Sequence, residues 1–202
     1  MTRGAGGPGS AAPDDLADHE NWHGGFYELA ILLGFADDGR VDTAARAIWS
    51  SLGIEGPIVS HDSTGEDSHS FASALKAGHQ RGIAQLPGGV RVVCGLLLIR
   101  EEDTRDWLDF YIPLGALSRA DSRVGVFPVG GQTDGSLEWR RDIDAWLVGI
   151  GERTYATVRF DYALIGWEVS GEDVPGDDVI DRWVGVLRPA NGRLVHVPAN
   201  RG

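Results

Sequence analysis

Three groups of residues in this chain combine types and spacings that could carry chemistry. The first is the run His61-Asp62-Ser63-Thr64-Gly65-Glu66-Asp67-Ser68-His69, with His79 beyond it. Imidazoles and carboxylates converging within about 2.0–2.2 Å of a divalent ion make a metal site. A polar loop carrying His61, Asp62, Asp67 and His69, joined by His79, could wrap such an ion. The spacing fits no established metal pattern, so a solvated loop is the competing expectation. Were a metal held there, Asp109 or Glu28 would be the candidate general base of a metal-assisted hydrolysis.

The second group is the acidic run Glu168, Glu172, Asp173, Asp177, Asp178 and Asp181, with no basic residue between its ends. Like charges this close repel, which predicts an exposed segment open to a cation or a basic partner. It lacks the Asp-x-Asp-x-Asp-Gly order of a calcium loop.

The third group is aromatic. Strand alternation puts Trp107, Asp109 and Tyr111 on one face and Leu108, Phe110 and Ile112 on the other. Asp161, Ala163, Ile165 and Trp167 share a face in the same way. If the two faces coincide, Trp107, Asp109, Tyr111, Asp161 and Trp167 form one acidic, aromatic surface. Such a surface suits an Arg-rich partner through cation–π and carboxylate contacts, or stacking on a sugar. Packing of the same rings under a loop or helix is the plain alternative. Glu28, the single charge in the apolar run Phe26–Leu33, is a further candidate, and exposure at a sheet edge would explain it equally.

Other motifs fail on inspection. There is no Gly-x-Ser-x-Gly nucleophile elbow, no Gly-Lys-Ser/Thr phosphate loop and no zinc cysteine pattern. Val148-Gly149-Ile150-Gly151 lies at a helix end and is not a dinucleotide turn. No motif calls for a cofactor. The lone Cys94 sits in an apolar strand run, where a thiol behaves as a small hydrophobe.

These residues must be held by elements that the pattern outlines. Val41, Ala44, Ala45, Ile48, Trp49 and Leu52 recur with helical spacing, and Gly53 follows as a cap. A second helix carries Trp139, Ile143, Trp146, Leu147 and Ile150 on one face, with Gly149 and Gly151 weakening it. Strands are expected at 26–33, 56–60, 82–86, 90–100, 107–114, 157–169, 182–188 and 193–197. Pro87-Gly88-Gly89 and Ala190-Asn191-Gly192 read as hairpin turns. Residues 71–78 are a helical turn or an irregular connection, and 115–136 a long loop. The expected fold is α+β, a largely antiparallel sheet of about six to eight strands with two main helices packed on one face. Residues 1–21 are expected to be a disordered tail, and 22–202 a single domain.

Composition bounds the function. The 202 residues hold 18 basic and 30 acidic groups, a formal charge of −12. That balance opposes nucleic acid and anionic membrane as partners. No segment approaches the roughly 18 apolar residues of a membrane span, and no apolar run opens the chain, so a cytoplasmic protein is expected. Arg outnumbers Lys throughout, as in proteins of GC-rich genomes, and the general look is that of a small bacterial α+β protein. Ten of the 30 acids lie in the N-terminal segment and the 168–181 run. The leading expectation is a non-enzymatic interaction or inhibitor-type module that binds a basic protein partner. A metal-assisted hydrolase and a small-ligand or glycan binder are the alternatives.

Overall fold

The computed structural model describes residues 11–58, 70–100, 104–124, 135–174 and 182–201. Its centre is β1 (Phe26–Phe35), whose run of apolar residues suits a strand buried on both faces. Helix α1 (Asp38–Trp49) follows, started by the Asp37 carboxylate, which accepts the N–H groups of Gly39 and Arg40 at 2.8 and 3.1 Å. The chain continues through β2 (Ile54–Glu55), α2 (Phe71–Ala77), β3 (Gln80–Gln85), β4 (Arg91–Arg100) and β5 (Arg105–Pro113). Then come α3 (Leu114–Ala120), α4 (Gly135–Thr157), β6 (Tyr162–Trp167), β7 (Gly185–Ala190) and β8 (Arg193–Val197). The strands form one eight-stranded sheet in the order β2-β3-β4-β5-β1-β6-β7-β8, and every pairing is antiparallel. The α+β architecture expected from the pattern is the one observed.

Register assigns the faces. Tyr27, Leu29 and Ile31 lie level with Ile112, Phe110 and Leu108 of β5, and Leu29 and Ile31 with Ile165 and Ala163 of β6. This face meets Val41, Ala44 and Ile48 of α1 and Ile143, Leu147 and Ile150 of α4 in the main core. Burial of each such aliphatic side chain contributes about 1.5–3 kcal/mol before ordering entropy is counted. On the other face Ala30, Leu32, Trp107, Leu164, Val169 and Val186 form a second, smaller cluster.

Several sequence expectations are corrected. Helix α1 stops at Trp49, so Leu52 is off the apolar stripe and 88% exposed. Residues 71–77 are helical because the Asp42 carboxylate of α1 accepts the Ala72 N–H at 2.6 Å, and Ser70 caps the first turn. The start of the expected 115–136 loop is α3. Helix α4 runs to Thr157, so the strand expected from 157 begins at Tyr162. Gly151 lies inside α4, where its missing side chain has a packing role. It permits close approach to β7, where a Cβ would stand 2.6 Å from Leu187 Cδ1. Residues 11–21 form two 3-10 turns with Asn21 buried, and the Ala11 N–H donates to the Arg91 carbonyl at 2.9 Å. The folded chain therefore starts before Trp22. The Asn191-Gly192 turn has both φ angles positive, at 51° and 79°, as its residues require.

Candidate functional site

The smaller face of the sheet carries two carboxylates near its middle. Glu28 lies level with Tyr111 of β5 and Gly166 of β6, and Asp109 lies level with Ala30 of β1 and Leu97 of β4. The two acids are thus diagonal neighbours on adjacent strands. Both are buried, at 2% and 1% exposure. Sheet-edge exposure does not explain Glu28, because β1 is central.

The segment 168–174 lies across this face as a strap. Gly166 makes that possible, since a Cβ there would stand 2.8 Å from Val169 Cγ1. Val169 folds back into the small cluster, and the Ser170 N–H then donates to Glu28 Oε1 at 3.0 Å. Glu168 takes a positive φ of 45°, which a non-glycine residue adopts only when its surroundings hold it there.

Two aspartates of β5 show what is unusual. Asp106 is equally buried, yet Arg100 donates to both of its oxygens at 2.7 and 2.8 Å and the Asp37 N–H adds a third bond at 3.1 Å. Asp109 has only the Ser170 side chain acting to hold its charge, and its Oδ1 is buried without a hydrogen-bond partner. A buried polar atom left unpaired costs about 1–3 kcal/mol, more when charged. Burial pushes the Glu28 carboxyl up to about 7, against the pull of the Ser170 and Val169 amides. Burial pushes Asp109 well above the carboxylate range, and the Glu28 charge pushes it further. No basic side chain is among the groups acting on either acid. The pair can hold protons near neutral pH, or accept a cationic donor.

Aromatic rings flank the pair. Trp107 and Tyr111 point to the same face as Asp109, one pleat to either side, and both are 1% exposed. Tyr162 meets Trp107 edge-on at 5.6 Å. Phe26 and Trp22 cover Tyr111, with ring centroids 4.3 and 6.4 Å away. The Tyr111 hydroxyl shares a 2.7 Å hydrogen bond with His79 Nδ1. The Tyr111 ring lies over Gly95 of β4, where any Cβ would overlap it. Gly95→Ala is therefore expected to cost about 1–3 kcal/mol by overpacking, measurable as a lowered urea midpoint.

The composite surface expected from the sequence is divided by the sheet. Trp107, Asp109 and Tyr111 share a face, as alternation predicts. Trp167 lies on the opposite face, where it meets Tyr27 at 4.7 Å and Trp139 at 5.5 Å under α4. Asp161 precedes β6 and is exposed beside Arg40. The cause is register: Tyr162, Leu164 and Gly166 share the face of Glu28, so the odd-numbered residues of β6 turn to the helices. Since the Trp107 and Tyr111 rings are buried, neither offers a face for sugar stacking. Glu172 and Asp173 are exposed on the strap. Asp177, Asp178 and Asp181 lie outside the described residues, as do His61, Asp62, Asp67 and His69. His79 commits one nitrogen to Tyr111. Among the described residues no three His, Cys, Asp or Glu side chains converge to hold a metal ion. Cys94 is fully buried and burial raises its thiol, which suits the inert role expected.

A recess of about 230 Å³ lies between the N-terminal turns, β4 and α3, lined by Ala11, Asp15, Asn21, Val92, Ala116 and Arg119. Its polar groups are spoken for. Arg119 donates to Asn21 and Asp18 at 2.8 and 3.0 Å, and Asp15 accepts the Ala12 N–H.

Sequence reasoning named Glu28 and Asp109 singly and missed that they form a pair. The signal available was that each is a lone charge inside an apolar strand. What was lacking was the register that makes them neighbours. Sequence reasoning also missed the buried group of Tyr27, Arg140 and Asp144 beneath α4. No protein-family model, curated protein or solved structure matches the chain. The functional reading therefore rests on this geometry.

Proposed function

We propose that the protein is a non-enzymatic interaction module that binds a basic protein partner at the strap over the Glu28–Asp109 pair. The observation that carries this reading is the state of the acids there. Glu168, Glu172 and Asp173 are exposed, and no ion pair joins them to a basic side chain among the described residues. Beneath them lies a buried acid pair with an unfilled acceptor. Three other acids are paired within the fold: Asp38 with Lys76 and Arg100, Glu55 with Arg91, and Asp121 with Arg123. The overall charge of −12 would steer a basic partner toward the molecule. Among the described residues no helix is long and apolar enough to cross a membrane.

Titration of capped octa-arginine and octa-lysine peptides, followed by fluorescence anisotropy, tests the proposal. Binding is expected at low salt and should weaken as salt rises. Glu172→Lys with Asp173→Lys should weaken it by about tenfold or more. The same reversal at Asp14 and Asp15 should change it by less than about twofold, because those acids lie away from the strap. Absence of binding at low salt, or equal losses from the two reversals, overturns the reading.

A second reading is favoured by one observation. Two interacting buried carboxyls, Glu28 pushed up to about 7 and Asp109 raised well above its ordinary value by burial, are the arrangement of a general acid–base pair.

A further inference from the structure

We infer that the Glu28–Asp109 pair is the receptor for a single arginine guanidinium of the partner, clamped between the two carboxylates beneath the strap. This rests on the reading that a basic partner docks at the strap, and it names the group recognised. Asp109 Oδ1 is an acceptor with no donor, on a side chain that is 99% buried by its 1% exposure. Glu28 and Asp109 come from different strands, so one donor group must reach two separate carboxylates. A guanidinium does this with five N–H donors set in a rigid plane, whereas an ammonium is a compact point charge that holds its water strongly. Trp107 and Tyr111 flank Asp109 along β5 as buried apolar neighbours, which keep water from the carboxylate and leave a charged donor group as its fitting partner. A metal ion fits less well, because no third ligand joins the pair among the described residues.

For a guanidinium to reach the pair, the strap must lift from it. Main-chain bonds hold the strap to β1, from the Glu168 N–H to the Phe26 carbonyl at 3.1 Å and from the Ser170 N–H to Glu28 at 3.0 Å. Glu168 and Gly171, both at positive φ, bracket the residues that reach Glu28. On the far side of Asp109 the cover thins, since Leu97 of β4 is half-buried and Ile99 is 36% exposed.

An entering guanidinium displaces the protons that the pair otherwise keeps. The titratable groups facing the pair are Glu28 on β1, Asp109 and Tyr111 on β5, and Glu168 on the strap, with His79 on β3 behind Tyr111. Burial lowers His79 and raises Tyr111, so neither competes for the displaced charge near pH 7. Binding must therefore release protons, and it should tighten as pH rises through about 7.

Calorimetric titration of the full chain with octa-arginine and octa-lysine, in two buffers of different ionisation enthalpy, decides the matter. Octa-arginine is expected to bind about tenfold tighter, with net proton release near pH 6.5. Asp109→Asn should bring the two peptides to within about twofold of each other, while its melting curve shows a folded protein. Equal binding of both peptides without proton release, unchanged in Asp109→Asn, overturns the receptor and leaves the basic-partner reading standing. Failure of both peptides to bind overturns both. Should Asp109→Asn not fold, the arginine preference and proton release of the unaltered protein decide alone.

Discussion

Arg140→Ala is expected to destabilise the protein by about 3–5 kcal/mol, the cost of removing one partner from a buried ion pair. For a chain of this size that is a fall in melting temperature on the order of 10 °C. Arg140 is 2% exposed on α4. Its Nε donates to Asp144 Oδ2 at 3.3 Å, and its Nη1 donates to the carbonyls of Trp183 and Arg201 at 3.1 and 3.2 Å. The guanidinium also lies 5.4 Å from the centre of the Tyr27 ring, whose hydroxyl donates to Asp144. Burial raises the Asp144 carboxyl, and the Arg140 charge opposes that rise. Alanine leaves Asp144 buried with one neutral donor and frees the carbonyls at both ends of the β7–β8 hairpin. Urea denaturation measures the total loss, and amide exchange should show β8 losing protection before β1. The companion variant Arg140→Met with Asp144→Leu should recover most of the loss, because it removes the uncompensated charge. A loss below about 1 kcal/mol for the single variant would show that the pair contributes little.

This group bears on what the sequence could reveal. The apolar stripe of α4 through Trp139, Ile143 and Leu147 was legible, because helical period alone specifies it. Arg140 and Asp144 lie four apart on the same helix, a spacing that serves a solvent-facing pair equally well. Only the position of the C-terminal hairpin makes them buried, and no local pattern encodes that. Helix α1 and the two tight hairpins were legible for the same local reason, down to Asn191-Gly192. The faces of β6 were not. Alternation states which residues share a face, but which face turns to the helices depends on pairing with β1, a contact between distant parts of the chain. Trp167 was therefore placed on the wrong side, and the expected surface lost one of its rings to the core. Glu28 and Asp109 were visible as anomalies, and visible only one at a time, for the same reason.

The pair carries the second large effect, a stability that falls as pH rises. A carboxyl whose folded value lies above its unfolded value binds more protons in the folded state. Its stabilising contribution is complete below the unfolded value and is lost as pH climbs through the folded one. Held at about 7 against an ordinary 4.5, Glu28 alone contributes about 3 kcal/mol on this account. Asp109 acts in the same direction. Asp109→Asn keeps the size of the side chain, removes one charge and relieves Glu28 of its neighbour. The variant should match the natural chain near pH 4.5 and exceed it by about 2–3 kcal/mol at pH 8, with the gap opening between those values. The difference between the two proteins is the quantity to measure, by urea denaturation across that range. Asp144, raised by burial, slopes the same way, while His79 and His196, lowered by burial, lose stability as pH falls through the ordinary histidine range. All three are present in both proteins and cancel in the difference. Parallel curves would mean that the pair keeps its charge in the folded state. The unpartnered oxygen of Asp109 would then already be compensated, and the case for a cationic ligand would go with it.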